Sequence, residues 1–439
     1  KADDAFPKYD EVLPTCKPRL IINPPSELFY ELVFVCTMIK RALKRKSMFL
    51  LYETETHSIY FSYGADMTVR QKSNWFGKAM DKCRQSLGRI VACFIVGGDD
   101  NACVIGINGR VFAWESDVTA CDQSHNVHLV HNFIETCREM GAPESSLQVL
   151  KNSYMRPLRI QNVKIKFKKP QLHTGHPQTS LANTITVGEV CTSIVADMKY
   201  ESLRTLIMEP DFFEQFSETV RLRAARFGMI FKVQVHERPL DVTFHKGHWV
   251  PANHEHLKHG FVWMPLPSCL WKATKIRTDS HISRKELLVR MAFNLYQRLI
   301  YPNHQIVRSY CLKLFRTIMA LLDMNAVDDQ QKFGAFVEAN FTKYYERASL
   351  NKSGEIDKLD PFMDLDQEPF WDLEAADEFI RRRYLLTVDD LFPGDGTFRG
   401  VRCAGWDAVI SRDYGADTLE ESLIQLFGYS GHAMSSRSS

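Results

Sequence analysis

The 439-residue sequence predicts an α+β fold, with an antiparallel sheet near its front and centre and a helical C-terminal third. Three observations carry this. Two apolar, β-branched runs, Ile90–Val96 and Asn101–Ile107, flank a Gly97-Gly98-Asp99-Asp100 tip, which is the pattern of a hairpin. Asn108-Gly109 follows as a strong two-residue turn signal, so Val111–Trp114 runs back as a third antiparallel strand. After Pro265 the periodicity turns helical, over Arg284–Leu299 and Gln305–Leu322.

The other elements follow in chain order. Arg19–Ile22 reads as a short strand closed by Asn23-Pro24-Pro25, and about Glu27 to Lys44 as a helix. Residues 66–88 fit an amphipathic helix around Trp75, Phe76 and Met80. The stretch from Arg89 to Trp114 is β, and a mixed region follows it. Helices are predicted from Thr179 to about Met198 and over Phe212–Phe227, with short strands at Phe231–Val235 and Val242–Val250. A polar, acidic connection around Asn351-Lys352-Ser353-Gly354 comes after the long helices, and Ser435–Ser439 reads as a frayed tail.

With 45% hydrophobic and 25% charged residues, wholesale disorder is excluded. The net charge of +2 decides nothing, but its distribution is uneven. Basic clusters at Lys40-Arg41 to Lys44-Arg45-Lys46 and at Lys166–Lys169 stand apart from an acidic stretch, Glu355–Glu378. That suits a nucleic-acid enzyme with a metal site, although any one cluster reads better as a solvated face. The eleven cysteines are odd in number and hold no Cys-x-x-Cys pair. Cys93, Cys103, Cys121 and Cys191 lie in apolar runs, so reduced, buried thiols of an intracellular protein are expected. The longest apolar run, Leu28–Ile39, is broken by Glu31 and is too short for a transmembrane segment. No signal peptide is recognisable, and the start at Lys1 leads us to expect a fragment or a processed product.

The acidic residues are the most informative. With Asn108-Gly109 as the turn, Ile107 faces Arg110, and the same register carried outward sets Asp100 opposite Asp117, about 5 Å away at Cα. A bulge at Gly106 would shift this by one residue. Asp99, Asp100 and Asp117 then share one end of one sheet. Three carboxylates so close do not all stay ionised without a cation, which points to a divalent-metal site of the kind used in phosphoryl transfer. An Asp-Asp pair at a hairpin tip is ordinary turn chemistry when it stands alone. The facing Asp117, in Asp117-Val118-Thr119-Ala120-Cys121-Asp122, raises it above that.

These residues resemble a family. Gly98-Asp99-Asp100 is similar to motif C of viral RNA-dependent RNA polymerases, and Asp117-x4-Asp122 to their motif A. Thr174–Asn183 resembles motif B, with Gly175, Thr179 and Asn183 four residues apart and Thr174 where Ser is commoner. Arg226-Phe227-Gly228 with Lys232 resembles motif D, Thr243–Gly247 more weakly motif E, and Lys17–Ile21 the basic motif F. The matches span residues 8–250. One departure is the order, since the Gly-Asp-Asp turn precedes motif A, as in the permuted polymerases of permutotetraviruses and birnaviruses. An antiparallel motif A strand beside the second motif C strand can be joined to it by a tight turn, so permutation need not disturb the site.

The resemblance implies a right-hand polymerase: fingers over residues 1–88 with an insertion at 127–172, palm at 89–126 and 173–265, and thumb over 266–439. It implies RNA-directed RNA synthesis with Mg²⁺, or Mn²⁺ in its place, on an RNA template and product strand with nucleoside triphosphates. Other viral replication proteins would be its partners, and the host cytoplasm or the virion its location. Asp117 and Asp99 would be the principal metal ligands and Asp100 a secondary one, although which of Asp99 and Asp100 lies closer stays open. Asp122 and Asn183 would read the ribose 2′-hydroxyl. Thr179, four residues before Asn183, would share its helix face. Lys17 and Arg19 would neutralise the triphosphate. Lys232 is either a proton donor to pyrophosphate or a surface lysine.

Two rivals are weighed: a reverse transcriptase, against which the Asp122 and Asn183 pair argues, and a non-catalytic RNA-binding replication protein with a palm-like shell. His245, His248, His254, His256 and His259 crowd together, but their spacing matches no tight zinc site and no cysteine pair accompanies them. No Walker-type loop is present, so an NTPase has no support.

Overall fold

The computed structural model describes residues 3–7, 20–160, 162–254, 257–269, 283–300, 302–322, 335–340, 369–386, 409 and 412–413. They are mixed α+β, in two compact units: Lys1–Asp66 with Trp75–His245, and Met67–Asn74 with Lys246–Ser439. Lys17, Arg19, the Asn351–Gly354 connection and the C-terminal tail lie outside the described residues.

The first unit begins with β1 (Asp3–Pro7), β2 (Leu20–Asn23), α1 (Ser26–Lys44), β3 (Phe49–Glu53), β4 (His57–Tyr63) and, from Trp75 onward, α2 (Val69–Arg84). The strands β5 (Ile90–Gly97), β6 (Asp100–Ile107) and β7 (Arg110–Val118) come next, then α3 (Cys121–Ser124), α4 (Val127–Glu139), α5 (Glu144–Ser153), β8 (Leu158–Ile160) and β9 (Val163–Ile165). It ends with α6 (Thr179–Ala196), α7 (Tyr200–Leu206), α8 (Phe212–Arg226), β10 (Phe231–His236) and the two-residue β11 (Thr243–Phe244). Six strands form one sheet in the order β10-β7-β6-β5-β4-β3, antiparallel except for the parallel pair β4 and β5. A second sheet, β2-β1-β8-β9, brings the N-terminal strands beside residues 158–165.

The predicted third strand and its turn are present. Asn108 and Gly109 both take positive φ, 51° and 83°, as a type I′ turn demands. Pairing of β6 with β7 runs from Ile107↔Arg110 to Asp100↔Asp117 without a shift. No bulge sits at Gly106, which pairs in register with both Val91 and Val111. Its missing side chain serves packing instead: a Cβ there would come within 2.1 Å of the Cys83 carbonyl oxygen on α2. The Cys83 thiol donates to the Val91 and Val104 carbonyls at 3.5 and 3.3 Å, so α2 lies close on this face.

The opposite face carries the main core. Ile90, Phe94 and Val96 of β5, Ile105 of β6 and Trp114 of β7 pack with Leu181 and Ile185 of α6 and Phe212 and Phe216 of α8. Phe112 meets Phe212 and Phe216 edge-on, each at 5.2 Å, which favours aromatic pairs beyond their area burial. With both faces covered, β5 is buried along its whole length and reads as a continuous apolar run. The strand β4 is buried almost throughout, whereas β3 is largely exposed. The mixed region after Trp114 includes α4 and α5 and the β8-β9 hairpin.

In the second unit, β12 (Gly247–Pro251) and β13 (Phe261–Pro265) pair antiparallel, Trp249 opposite Trp263. The helices α9 (Arg284–Ile300), α10 (Gln305–Leu321) and α11 (Leu373–Tyr384) match the predicted helical character. Phe293, Leu299, Phe315, Met319 and Ile380 form their core. The stretch Val242–Val250 is not one strand. His245 and Lys246 take φ of 52° and 54°, a turn that ends β11 and starts β12. Cys93, Cys103, Cys121 and Cys191 are buried free thiols, as expected. No helix among the described residues is long and apolar enough to cross a membrane.

Gly106→Ala should destabilise the first unit by about 1–3 kcal/mol or more, since the obstacle is helix backbone rather than a flexible side chain. Denaturant titration of the full chain reads this as a lower midpoint. A midpoint equal to wild type would mean that α2 can shift away.

Candidate active site at the sheet edge

The Gly-Asp-Asp turn joins β5 to β6, with Gly97 paired to Asp100 and Gly98 and Asp99 at the tip. Gly98 has φ 73° and Asp99 does not share it, which fits a type II′ turn. The turn is fastened from below: Gly98 N–H donates to Thr184 Oγ1 at 2.8 Å, and that hydroxyl donates to the Ser180 carbonyl at 2.6 Å. Thr184 is fully buried one residue after Asn183, and no local spacing singled it out.

Asp100, Asp117 and Lys232 form one cross-strand row, Asp100↔Asp117 on β6 and β7 and Asp117↔Lys232 on β7 and β10. Directly opposed side chains point to the same face, so the row sets two carboxylates and a lysine side by side. Asp99 and Asp117 are exposed, and Asp100 is half-buried. Asp100 Oδ2 accepts the His245 backbone N–H at 2.6 Å. The His245 ring stacks on Phe244 at 3.9 Å, and its Nε2 meets the Gly97 carbonyl at 3.0 Å. A Cβ on Gly97 would lie 2.2 Å from that nitrogen, so only glycine admits the ring there. This bond turns one carboxylate toward β11. Asp99, Asp100 and Asp117 do not bring three ligand atoms within 4.8 Å of one another.

The field of this edge is nevertheless acidic. Burial first, and then the charges of Asp99, Asp122 and Asp117, push the Cys121 thiol well above its usual range. A thiol held protonated is a poor ligand, so the donors at this edge are carboxylate oxygens, a set suited to hard divalent cations.

Asp122 lies on α3, behind Ala120 in left-handed backbone (φ 50°). Its Oδ1 accepts Asn183 Nδ2–H at 2.7 Å and its Oδ2 accepts the Thr174 hydroxyl at 2.5 Å. The two residues expected to act on the same group are therefore in contact. Thr179 is not part of that contact: its hydroxyl donates to the His173 carbonyl at 2.7 Å and closes the loop before α6. Asn183 Oδ1 in turn lies 2.9 Å from Nε2 of His125, a buried histidine that sequence reasoning passed over.

The Thr174 loop is held from the N-terminal sheet. Ile22 N–H donates to the Thr174 carbonyl at 2.8 Å. Buried Asp3 takes His173 Nδ1–H and His176 Nε2–H on Oδ2, at 3.0 and 2.9 Å, and Arg156 on Oδ1 at 2.5 Å. Burial alone would raise the Asp3 carboxyl, but the bonds from His173, His176 and Arg156 outweigh it and hold it far below the usual range. Asp3, His173 and His176 are the one group of three among the described residues whose donor atoms converge, and they could hold a metal ion. Arg156 already answers the Asp3 charge, and the two imidazoles satisfy its other oxygen, so the Asp3 carboxylate is fully bonded without an ion. Breaking such a buried pair typically costs about 3–5 kcal/mol.

The histidine crowd disperses. His248 pairs with His304 at 2.8 Å and stacks on Phe379 at 3.5 Å, His254 rests near Phe370, and His256 lies outside the described residues. Comparison with protein-family models gives no match, and comparison with curated proteins gives none either.

Burial lowers the His125 imidazole to about 4, against the opposing pull of Asn183 and Asp122. Between about pH 4 and its ordinary 6.5, the unfolded chain binds a proton that folded His125 does not. Stability should therefore fall on acidification through that window, by at most about 1.4 kcal/mol per pH unit from this residue. Denaturation midpoints against pH should show a shallower acid limb in His125→Gln. An equally steep limb would assign the slope to other groups.

Proposed function

We propose that this chain is an RNA-directed RNA polymerase with permuted palm motifs, joining ribonucleotides to an RNA 3′ end under the direction of a template. The observation that carries this reading is the contact of Asp122 with Asn183 beside the Asp100↔Asp117 pair, all at one edge of one antiparallel sheet. In this reading the six-stranded sheet with α6 and α8 beneath it is the palm. The helices α9 to α11 belong to the thumb, and exposed Lys166, Lys168 and Lys169 belong to a fingers surface that meets RNA phosphates.

Asp99 and Asp117 would hold Mg²⁺ with Asp100 as a secondary ligand, and the bound ions would supply charge stabilisation for phosphoryl transfer. The His245 N–H on Asp100 Oδ2 suits that lesser role, because it already occupies one carboxylate oxygen. The 3′-oxygen of the product strand forms a bond to the α-phosphorus of the incoming nucleotide as the bond to pyrophosphate breaks. Lys232, in register beside Asp117, would deliver a proton to that leaving group. Asp122 keeps lone pairs beyond the two it uses for Asn183 and Thr174, and these would accept a ribose 2′-hydroxyl.

RNA synthesis on a short template with Mg²⁺ or Mn²⁺ tests the reading. Asp117→Ala and Asp99→Ala should each lose at least about a hundredfold in rate while keeping the wild-type denaturation midpoint. No product from wild type, or full activity in either variant, would overturn it. A product made preferentially from deoxyribonucleotides would favour a reverse transcriptase instead.

A further inference from the structure

We propose that His125 is a positioning residue for ribonucleotide selection: it donates to Asn183 Oδ1 and so keeps the Asn183 amide turned with its NH₂ toward Asp122. This inference rests on the polymerase reading and assigns a role to a residue outside the motif positions.

An asparagine side chain has two nearly isosteric orientations, and only one presents a donor to a carboxylate. At Asn183 the partners on the two sides decide between them. Asp122 accepts from Nδ2 at 2.7 Å, which leaves Oδ1 facing His125 Nε2 at 2.9 Å. Oδ1 can only accept, so His125 must carry its proton on Nε2. The rest of its surroundings agree with that tautomer. His125 is 2% exposed, and its Nδ1 is buried with no hydrogen-bond partner. An unpaired lone pair is tolerable there, whereas a buried N–H with no acceptor would cost a donor's desolvation. The ring lies over Tyr154, the C-cap residue of α5, at 6.1 Å between centroids and 29° between planes. That packing leaves the ring little freedom to swing away from Asn183.

The chain of bonds His125→Asn183→Asp122 therefore runs in one direction, each group donating to the next, and it ends on the carboxylate expected to meet the 2′-hydroxyl. Without the His125 proton, the flipped amide would set Oδ1 against Asp122, an acceptor against an acceptor. The pair would lose its shared orientation, and ribose recognition would lose the hydrogen bonds that distinguish it from deoxyribose. The effect acts on sugar discrimination rather than on the chemical step.

The test measures kcat and KM for matched ribonucleotide and deoxyribonucleotide incorporation by the full chain. His125→Phe keeps an aromatic ring over Tyr154 and lacks the donor; His125→Gln keeps an amide donor. His125→Phe should lower discrimination about tenfold, mainly through a higher ribonucleotide KM, with deoxyribonucleotide incorporation little changed. His125→Gln should recover most of it. In an Asn183→Ala background, His125→Phe should have no further effect on discrimination, because its action runs through that amide. Equal losses on both sugars, unchanged discrimination in His125→Phe, or an undiminished effect in the Asn183→Ala background would overturn the proposal. Wild type that makes no product on either nucleotide would overturn the polymerase reading and this role with it, an outcome distinct from an active wild type with an indifferent His125.

Discussion

Asn108 and Gly109 hold left-handed backbone in succession, and the tight turn they make determines which residues of β6 and β7 face each other. A slip of one residue would send Asp117 to the opposite face, into the aromatic layer formed by Phe112, Trp114, Phe212 and Phe216. That layer resists such a slip, because these strands bury one apolar set on that side, while β5 and β6 meet α2 on the other. The turn and the core thus enforce the same register. Everything at the sheet edge follows from it, including the row Asp100, Asp117 and Lys232.

Around this row the structure uses backbone groups and buried hydroxyls as fasteners. Thr184 holds the Gly98 amide, and the His245 amide holds Asp100. The loop before α6 is gripped from two sides, by Ile22 through Thr174 and by Asp3 through His173 and His176. These contacts matter because Thr174 from that loop and Asn183 from α6 converge on a single carboxylate, Asp122. A loop free to move would not keep two donors on two oxygens of one group. The N-terminal strand, which looks remote from the acidic edge in sequence, is by this route one of its supports.

The opposing tendencies at the edge are also clear. Asp99 and Asp117 lie exposed to water, while buried groups nearby are held neutral. Cys121 is kept as a thiol and His125 as an imidazole, in both cases by burial first. A neutral, packed layer therefore lies behind a charged, solvated one, which confines the negative field to the open side.

The amino-acid sequence alone determined the α+β class, the Asn108-Gly109 turn and the pairing of Asp100 with Asp117, because each depends on neighbours a few residues apart. It also marked Asp122 and Asn183 as residues that belong together, through their resemblance to motifs A and B. The alternative of a bulge at Gly106 is absent, and that glycine instead marks a close approach of α2, while the Thr179 hydroxyl closes its own loop. Only the tertiary structure decided the long-range bonds: His125 with Asn183 across 58 residues, His245 with Asp100 across 145 and Asp3 with His173 across 170. No periodicity or spacing encodes such contacts, since they arise when separate elements pack against one core. The orientation of the Asn183 amide belongs with them, because it depends on which partners the folded chain sets on either side of it.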